Sequence, residues 1–121
     1  MSKFIVITSI FEPTEAVIEF SQKSDYKLIV VGDKKTPVDW HAENVTFISV
    51  SDQEKLGYKL SETMPYNHYC RKMFGYLYAM NEGAEFIIDT DDDNIPKNNF
   101  GFPSIHNEYN FIEDHPGFIN I

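Results

Sequence analysis

A single cysteine, Cys70, stands among 121 residues, so no disulfide can form within the chain and nothing in it points to an oxidising compartment. A reducing, cytoplasmic setting is the expectation. Basic residues are also scarce. Ten Lys and Arg against nineteen Asp and Glu give a formal net charge of −9, a surface that repels nucleic acid and anionic lipid alike. No DNA or RNA partner is expected, and an anionic ligand needs a bridging cation or a local gathering of the few basic side chains. Long hydrophobic runs are missing as well. Polar residues interrupt every apolar stretch before the roughly 18 residues that a membrane helix requires, and Met1 leads almost directly into a strand-like segment. No signal peptide, membrane segment, internal repeat or low-complexity tract is expected.

What is present is core material. Hydrophobic residues make up 42% and aromatics 15%, enough to fold one compact domain of this length, whereas two full domains do not fit.

Along the chain, short β-branched and apolar runs alternate with helical patterns. Phe4 to Ile10 predicts a strand, and Glu12-Pro13-Thr14 predicts a helix start with proline in the first turn. That helix runs from Pro13 to Lys23 with Ala16, Val17 and Phe20 on one side, and Ser24-Asp25 ends it. Lys27 to Val31 predicts a second strand, buried on both faces, which stops at Gly32-Asp33. Lys34 to Glu43, with Pro37 and Trp40, reads as a loop, and Val45 to Val50 as a third strand. Ser51-Asp52-Gln53-Glu54 suits a helix cap, and Gly57 to Pro65 has no clear pattern. From Tyr66 to Glu82 the recurrence of Tyr69, Met73, Leu77 and Met80 predicts a helix with that stripe as its apolar face, closed by Gly83. Glu85 to Ile88 predicts a fourth strand. After Pro96 the chain is rich in Asn, Gly and Pro, with one short apolar run, Gly117 to Ile121, that resembles the beginning of a strand.

The class is therefore α/β with a mostly parallel sheet flanked by helices, and ligands in such sheets bind beyond the carboxyl ends of the strands. Thr8, Ser9, Asp33, Ser49, Ser51 and the loop Asp89 to Asp93 all fall at that edge. Four aspartates within five positions repel one another unless protons or a cation neutralise them. Hard divalent ions such as Mn²⁺ or Mg²⁺ suit carboxylate oxygens. A charge run is more often a solvated turn, but placement at a strand's carboxyl end favours the metal site. Read as a calcium-binding EF-hand loop from Asp89, the motif fails, with Asn94 in place of the sixth-position glycine and Phe100 in place of the twelfth-position glutamate. A phosphatase motif of the haloacid dehalogenase type fits poorly, since its fifth position here is Asp93 and the motif follows the fourth strand rather than the first.

Arg71-Lys72, Gly75, Ala79, Gly83-Ala84, Ile87-Ile88 and Asp89-Thr90-Asp91-Asp92 together resemble the helix, strand and DxD signature of GT-A glycosyltransferases. More narrowly, ITSIFEPTEAV, VVGDKKTP, MPYNHYCRKMFGYLYAMNEGA and DTDDDN are similar to the STELLO family, over about residues 4 to 96. The family's plant members are Golgi membrane proteins, a location and partnership that this sequence does not itself carry. The resemblance implies a Rossmann-like GT-A nucleotide-binding half over 1–96 and a polar tail over 97–121 that begins a truncated acceptor half. It implies a nucleoside-diphosphate sugar as donor, an unknown acceptor, and Mn²⁺ or Mg²⁺ held chiefly by Asp91, with Asp89 and Asp93 supporting it or contacting ribose, and Asp92 facing solvent.

For the remaining candidates the residue types permit two readings each. Asp33 either contacts base or ribose or is a turn aspartate before Lys34-Lys35. Arg71 and Lys72 either balance diphosphate charge or are exposed surface cations. Asn67 and His68 lie at a helix amino end suited to anions, although a lone histidine is more often structural. Gly75 and Ala79 allow close helix packing, and Trp40 is core before it is a stacking platform. For a general base in the tail there are Glu108, Glu113, Asp114, His106 and His115, none in a recognisable motif. Magnesium-dependent phosphoryl transfer, and a catalytically silent domain that binds nucleotide or a partner, are the alternatives.

Overall fold

The computed structural model describes residues 2–111 and residue 117. In chain order the elements are β1 (Lys3–Thr8), α1 (Glu15–Ser21), β2 (Lys27–Val31), β3 (Val45–Ile48), α2 (Val50–Lys55), two 3-10 turns (Lys59–Glu62 and Tyr69–Arg71), α3 (Lys72–Asn81) and β4 (Phe86–Asp89). Continuous apolar runs have no polar face to offer to water, so they pair side by side and are covered on both sides. Here they make one all-parallel sheet in the order β3-β2-β1-β4. β1 is central, with Ile5 opposite Leu28 of β2 on one side and Ile88 of β4 on the other. The α/β class expected from the sequence is the observed one.

Successive side chains of β1 and β2 point to opposite faces and divide the core in two. Phe4, Val6, Ile29, Val31 and Ile48 pack under Phe74 and Ala79 of α3. Ile5, Ile7, Leu28 and Val30 pack under Val17 and Phe20 of α1 together with Trp40. Each such fully buried side chain stabilises the fold by about 1.5–3 kcal/mol. Trp40 is thus a core residue, stacked on Phe47 at 4.5 Å. Aromatic packing also continues past Pro96, with Phe100 5.3 Å from Phe20 and Phe102 5.6 Å from Tyr26.

Several boundaries shift for physical reasons. The α1 cap is Thr14, whose side chain accepts from Val17 N, so Pro13 precedes the helix instead of entering its first turn. For α2 the cap is Ser49, in a reciprocal capping box with Asp52, two residues ahead of the expected Ser51. The expected Tyr66–Glu82 helix is a 3-10 turn followed by the shorter α3, and its apolar face is not the one the periodicity suggests. Tyr69, Met73 and Met80 are exposed, whereas Lys72, Phe74, Gly75 and Ala79 are buried. At the point of closest approach to the sheet there is room only for a small residue, and Gly75 occupies it. A Cβ on Gly75 would overlap Val6 Cγ1 and lie 2.8 Å from Val31 Cγ2. Gly83, at φ 82°, closes the helix as expected. The Gly117–Ile121 strand expectation and Glu113, Asp114 and His115 fall wholly or mainly outside the described residues.

In an ordinary helix Gly→Ala is a gain of about 1 kcal/mol. At residue 75 the added methyl must push two strands away, so Gly75→Ala is expected to lower stability in urea unfolding by about 1–3 kcal/mol net. A neutral or stabilising result would mean that α3 does not pack as closely as these distances show.

Candidate functional site

A cavity of about 380 Å³ opens at the carboxyl edge of the sheet. Its walls are Thr8 to Phe11 after β1, Val31 to Asp33 and Lys35 after β2, Asn67 to Tyr69 with Arg71 before α3, and Asp91 to Asp93 after β4. The chain steps outward from β1 to β2 to β3, then returns to the other side of β1 for β4, and the cavity sits at that change of direction. Of the residues singled out beforehand, Thr8, Ser9, Asp33, Arg71, Asp91 and Asp93 come together here. Lys72 and Asp89 stand behind the wall, and Ser49 and Ser51 stay with α2.

Two hydrogen bonds close the gap between β1 and β4. Ser9 Oγ donates to Asp92 Oδ2 at 2.6 Å, and Thr14 Oγ1 donates to the Asp92 carbonyl at 2.5 Å. Asp92 therefore does not face solvent as expected. It fastens the acidic loop to the loop after β1. That second loop is fixed in turn by Thr36 Oγ1, which donates to Ser9 O at 2.7 Å, and by Trp40 Nε1, which donates to Phe11 O at 3.0 Å. With its backbone so held, the Phe11 ring lines the cavity at 59% exposure. Nothing in the sequence marks Phe11 beyond its place three residues past the end of β1.

On the opposite wall the Asp33 carboxylate accepts three backbone N–H groups. They are Lys34 at 2.7 Å and Asn67 at 2.9 Å on Oδ1, and His68 at 3.0 Å on Oδ2. This ties the end of β2 to a segment in which Asn67 has φ 51°, a left-handed conformation that asparagine tolerates. Asp33 thus acts here as a clamp as well as a cavity residue. His68 caps the 3-10 turn, its Nδ1 accepting from Cys70 N at 3.0 Å.

Arg71 is 1% exposed and no surface cation. Its Nε and Nη2 donate to Gln53 Oε1 at 2.9 and 2.5 Å, its Nη1 donates to Met64 O at 3.1 Å, and its plane lies 4.4 Å from the Tyr66 ring. Gln53, fully buried and overlooked in the sequence because nothing there marks a buried glutamine, also donates to Gly32 O at 2.8 Å and Ile48 O at 3.0 Å. No carboxylate among the described residues pairs with this guanidinium. A buried charge without a counter-ion is costly; here Gln53 and the Met64 carbonyl take up its donors beside the cavity that it borders. Lys35 is the other cation on that wall.

Lys72, 2% exposed, is paired throughout. Its Nζ donates to Asp89 Oδ1 at 2.5 Å, Tyr69 OH at 2.6 Å, Thr90 O at 3.0 Å and Asp91 Oδ1 at 3.1 Å. Burial alone would push the ammonium pKa down, and the hydrogen bonds to Asp89, Tyr69 and Asp91 outweigh it and hold it above the ordinary lysine value. Asp91 is held below the usual carboxylate range by the Tyr69 hydroxyl and then by Lys72. Tyr76, half-buried and donating to Asp89 Oδ2 at 2.6 Å, is pushed up to about 12, first by burial and then by that bond. Asp89 thus has both oxygens engaged. Asp91 Oδ2, Asp92 Oδ1 and the Asp93 carboxylate accept nothing from the described residues, although no group of three or more metal-binding side chains converges among them.

Two outcomes follow. Removing three acceptor contacts with Asp33→Ala is expected to cost about 1–3 kcal/mol in denaturant unfolding, and an unchanged midpoint would leave the clamp without weight. For Asp91, whose folded pKa is depressed, the stabilisation is fully present above the ordinary carboxylate value and is lost as pH falls through the folded value. For Lys72, with a raised folded pKa, it is present below the ordinary lysine value and lost as pH rises through the folded one. Wild type is therefore expected to exceed Asp91→Asn in stability at pH 6, with the gap closing in acid. A gap independent of pH would show that the pair does not couple to folding.

No family model matches the chain. Two curated relatives do, both from Arabidopsis thaliana: Probable glycosyltransferase STELLO2 is 33% identical and Probable glycosyltransferase STELLO1 is 34% identical, each over 90 residues. That stretch is 74% of this chain and 12% of each relative, so the chain spans about an eighth of their length. No helix among the described residues is long and apolar enough to cross a membrane. By the identity they share over three quarters of its length, the chain belongs to the STELLO family of probable glycosyltransferases.

Proposed function

We propose that this chain binds the nucleoside-diphosphate sugar of a metal-dependent glycosyl transfer, in the manner of a GT-A donor site, with Mn²⁺ or Mg²⁺ as the ion. The observation that carries the reading is the division of the cavity into two charged walls, Asp91 to Asp93 on one side and Arg71 with Lys35 on the other. A diphosphate is the kind of ligand that satisfies both, accepting from the exposed Lys35, lying in the field of the buried Arg71, and meeting the carboxylates through a divalent ion.

The donor set fits such an ion. Carboxylate oxygens suit it, and Mg²⁺ characteristically uses one or two of them and completes its shell with water and substrate phosphates, so the lack of a convergent group of three is no obstacle. Asp91 and Asp93 would hold it from the cavity side, Asp92 being already engaged by Ser9. When bound, a divalent ion neutralises the charge that develops on the departing diphosphate. The chain's own part is to align and to screen. Arg71 and Lys35 balance the remaining negative charge, Thr8 offers a hydroxyl at the end of β1, and the exposed Phe11 ring, fixed through its carbonyl by Trp40, offers a flat apolar surface for a base. The 3-10 turn that carries Arg71 is positioned by Asp33 through Asn67 and His68.

Calorimetry with UDP and with GDP, in Mn²⁺ and in EDTA, tests this reading. Binding is expected in Mn²⁺ and at least about tenfold weaker in EDTA, because a diphosphate without a bridging ion meets the acidic wall directly. Asp91→Asn should reproduce the EDTA result in the presence of Mn²⁺. Nucleotide binding that persists unchanged in EDTA would remove the ion from the model of the site.

A further inference from the structure

Both ion pairs found among the described residues belong to Lys72, and they are unequal. An ammonium has three hydrogens to give, and four acceptors surround this one, with Asp89 the nearest at 2.5 Å and Asp91 the farthest at 3.1 Å. Asp89 has both oxygens engaged, the second by the Tyr76 hydroxyl at 2.6 Å, and it does not border the cavity. Asp91 lies on the cavity wall with Oδ1 turned to Lys72 and Tyr69, and with Oδ2 free of the described donors. One carboxylate thus stands between a protein cation behind it and an open cavity in front.

We propose that Lys72 is a tethered counter-cation of the acidic loop, which keeps Asp89 out of the ion site and shares Asp91 with a divalent ion entering from the cavity, so that its charge sets the affinity for that ion. This rests on the metal-dependent reading above. Four clustered aspartates would spread apart without a positive charge among them, and an ammonium anchored in the first turn of α3 supplies one that cannot diffuse away. The loop then keeps its shape before any ion arrives. In exchange, the ion meets a fixed positive charge across a single carboxylate. Two cations so close repel even in a water-like medium, enough to weaken binding by about tenfold. Asp89 and Asp91, two residues apart in one aspartate run, accordingly serve different partners, the first Lys72 and the second the ion.

Titration with Mn²⁺, followed by the electron paramagnetic resonance of the free ion, separates these roles without any catalytic readout. Lys72→Met is expected to bind Mn²⁺ about tenfold more tightly than wild type. Asp89→Asn, which leaves Lys72 free to lean wholly on Asp91, should bind more weakly by a few-fold, and the double variant Lys72→Met/Asp89→Asn should return to wild-type affinity or better. An unchanged or weaker affinity in Lys72→Met overturns the proposal, as does a double variant that stays as weak as Asp89→Asn, since Asp89 would then be a ligand itself. Lys72→Gln, neutral but polar, takes the place of the methionine variant should circular dichroism show that one unfolded. If wild type binds Mn²⁺ and Asp91→Asn does not, yet Lys72→Met gains nothing, this proposal alone fails. If wild type and all variants leave Mn²⁺ free and bind UDP no better with Mn²⁺ than without it, the metal-dependent reading fails with it.

Discussion

The ammonium of Lys72 decides where the rest of the site can be. It is almost wholly removed from water, and it reaches the last residue of β4 and two positions of the loop beyond. A buried lysine must find acceptors, and among the described residues the aspartate run supplies them. The loop is therefore drawn against α3 at its base and released toward the cavity only from Asp91 onward. Ser9 and Thr14 then fasten its far side at Asp92. With both ends tied, the carboxylates left facing the cavity are fixed in number and place.

The same short turn builds the opposite wall. Arg71 and Lys72 are neighbours in sequence at the junction between the 3-10 turn and α3, and they point their charges to different destinations. Arg71 turns to Gln53, which is itself hydrogen-bonded to the ends of β2 and β3. Lys72 turns to the end of β4. A single junction thereby connects the polar ends of β2, β3 and β4, and Asp33 secures the segment just before it by accepting its N–H groups. On the proposed function a structural role and a binding role coincide in these residues, because holding a charge still beside a cavity is what makes it useful to a ligand.

Much of this was legible in the residues. The strands fell close to their expected limits because continuous apolar runs in an α/β chain have few alternatives, and the crevice followed from the rule about carboxyl ends. Six of the eight singled-out site residues line it. The failures have a common cause. Periodicity ranks faces by hydrophobicity, but the face of α3 that meets the sheet is chosen by size: Gly75 and Ala79 permit the approach that Met73 and Met80 would block. Hydrogen-bonding capacity is equally invisible in one dimension. Gln53 as a buried bracket, Asp92 as a fastener and Asp33 as a clamp each depend on partners 18 or more positions away, which no local pattern records. Lysine and arginine are seldom fully buried, and at Arg71 and Lys72 that base expectation is overturned by specific partners.

Net charge and local charge also part company. With −9 overall, the chain as a whole repels a diphosphate, and long-range steering works against association. The repulsion is screened beyond about 8–10 Å at physiological ionic strength, so what the ligand experiences on arrival is the cavity itself. There the four carboxylates of the lining, Asp33, Asp91, Asp92 and Asp93, outnumber its two cations, Lys35 and Arg71, by two. Lys72 cancels much of Asp89 and Asp91, Ser9 spreads part of the charge of Asp92, and Arg71 contributes a positive charge that no described carboxylate offsets. What remains of the acidic wall is roughly what one divalent ion neutralises. On the proposed function, an acidic protein holds a polyanion without a basic surface because its few cations are buried where they matter and its carboxylates are shared between a fixed charge and an exchangeable one.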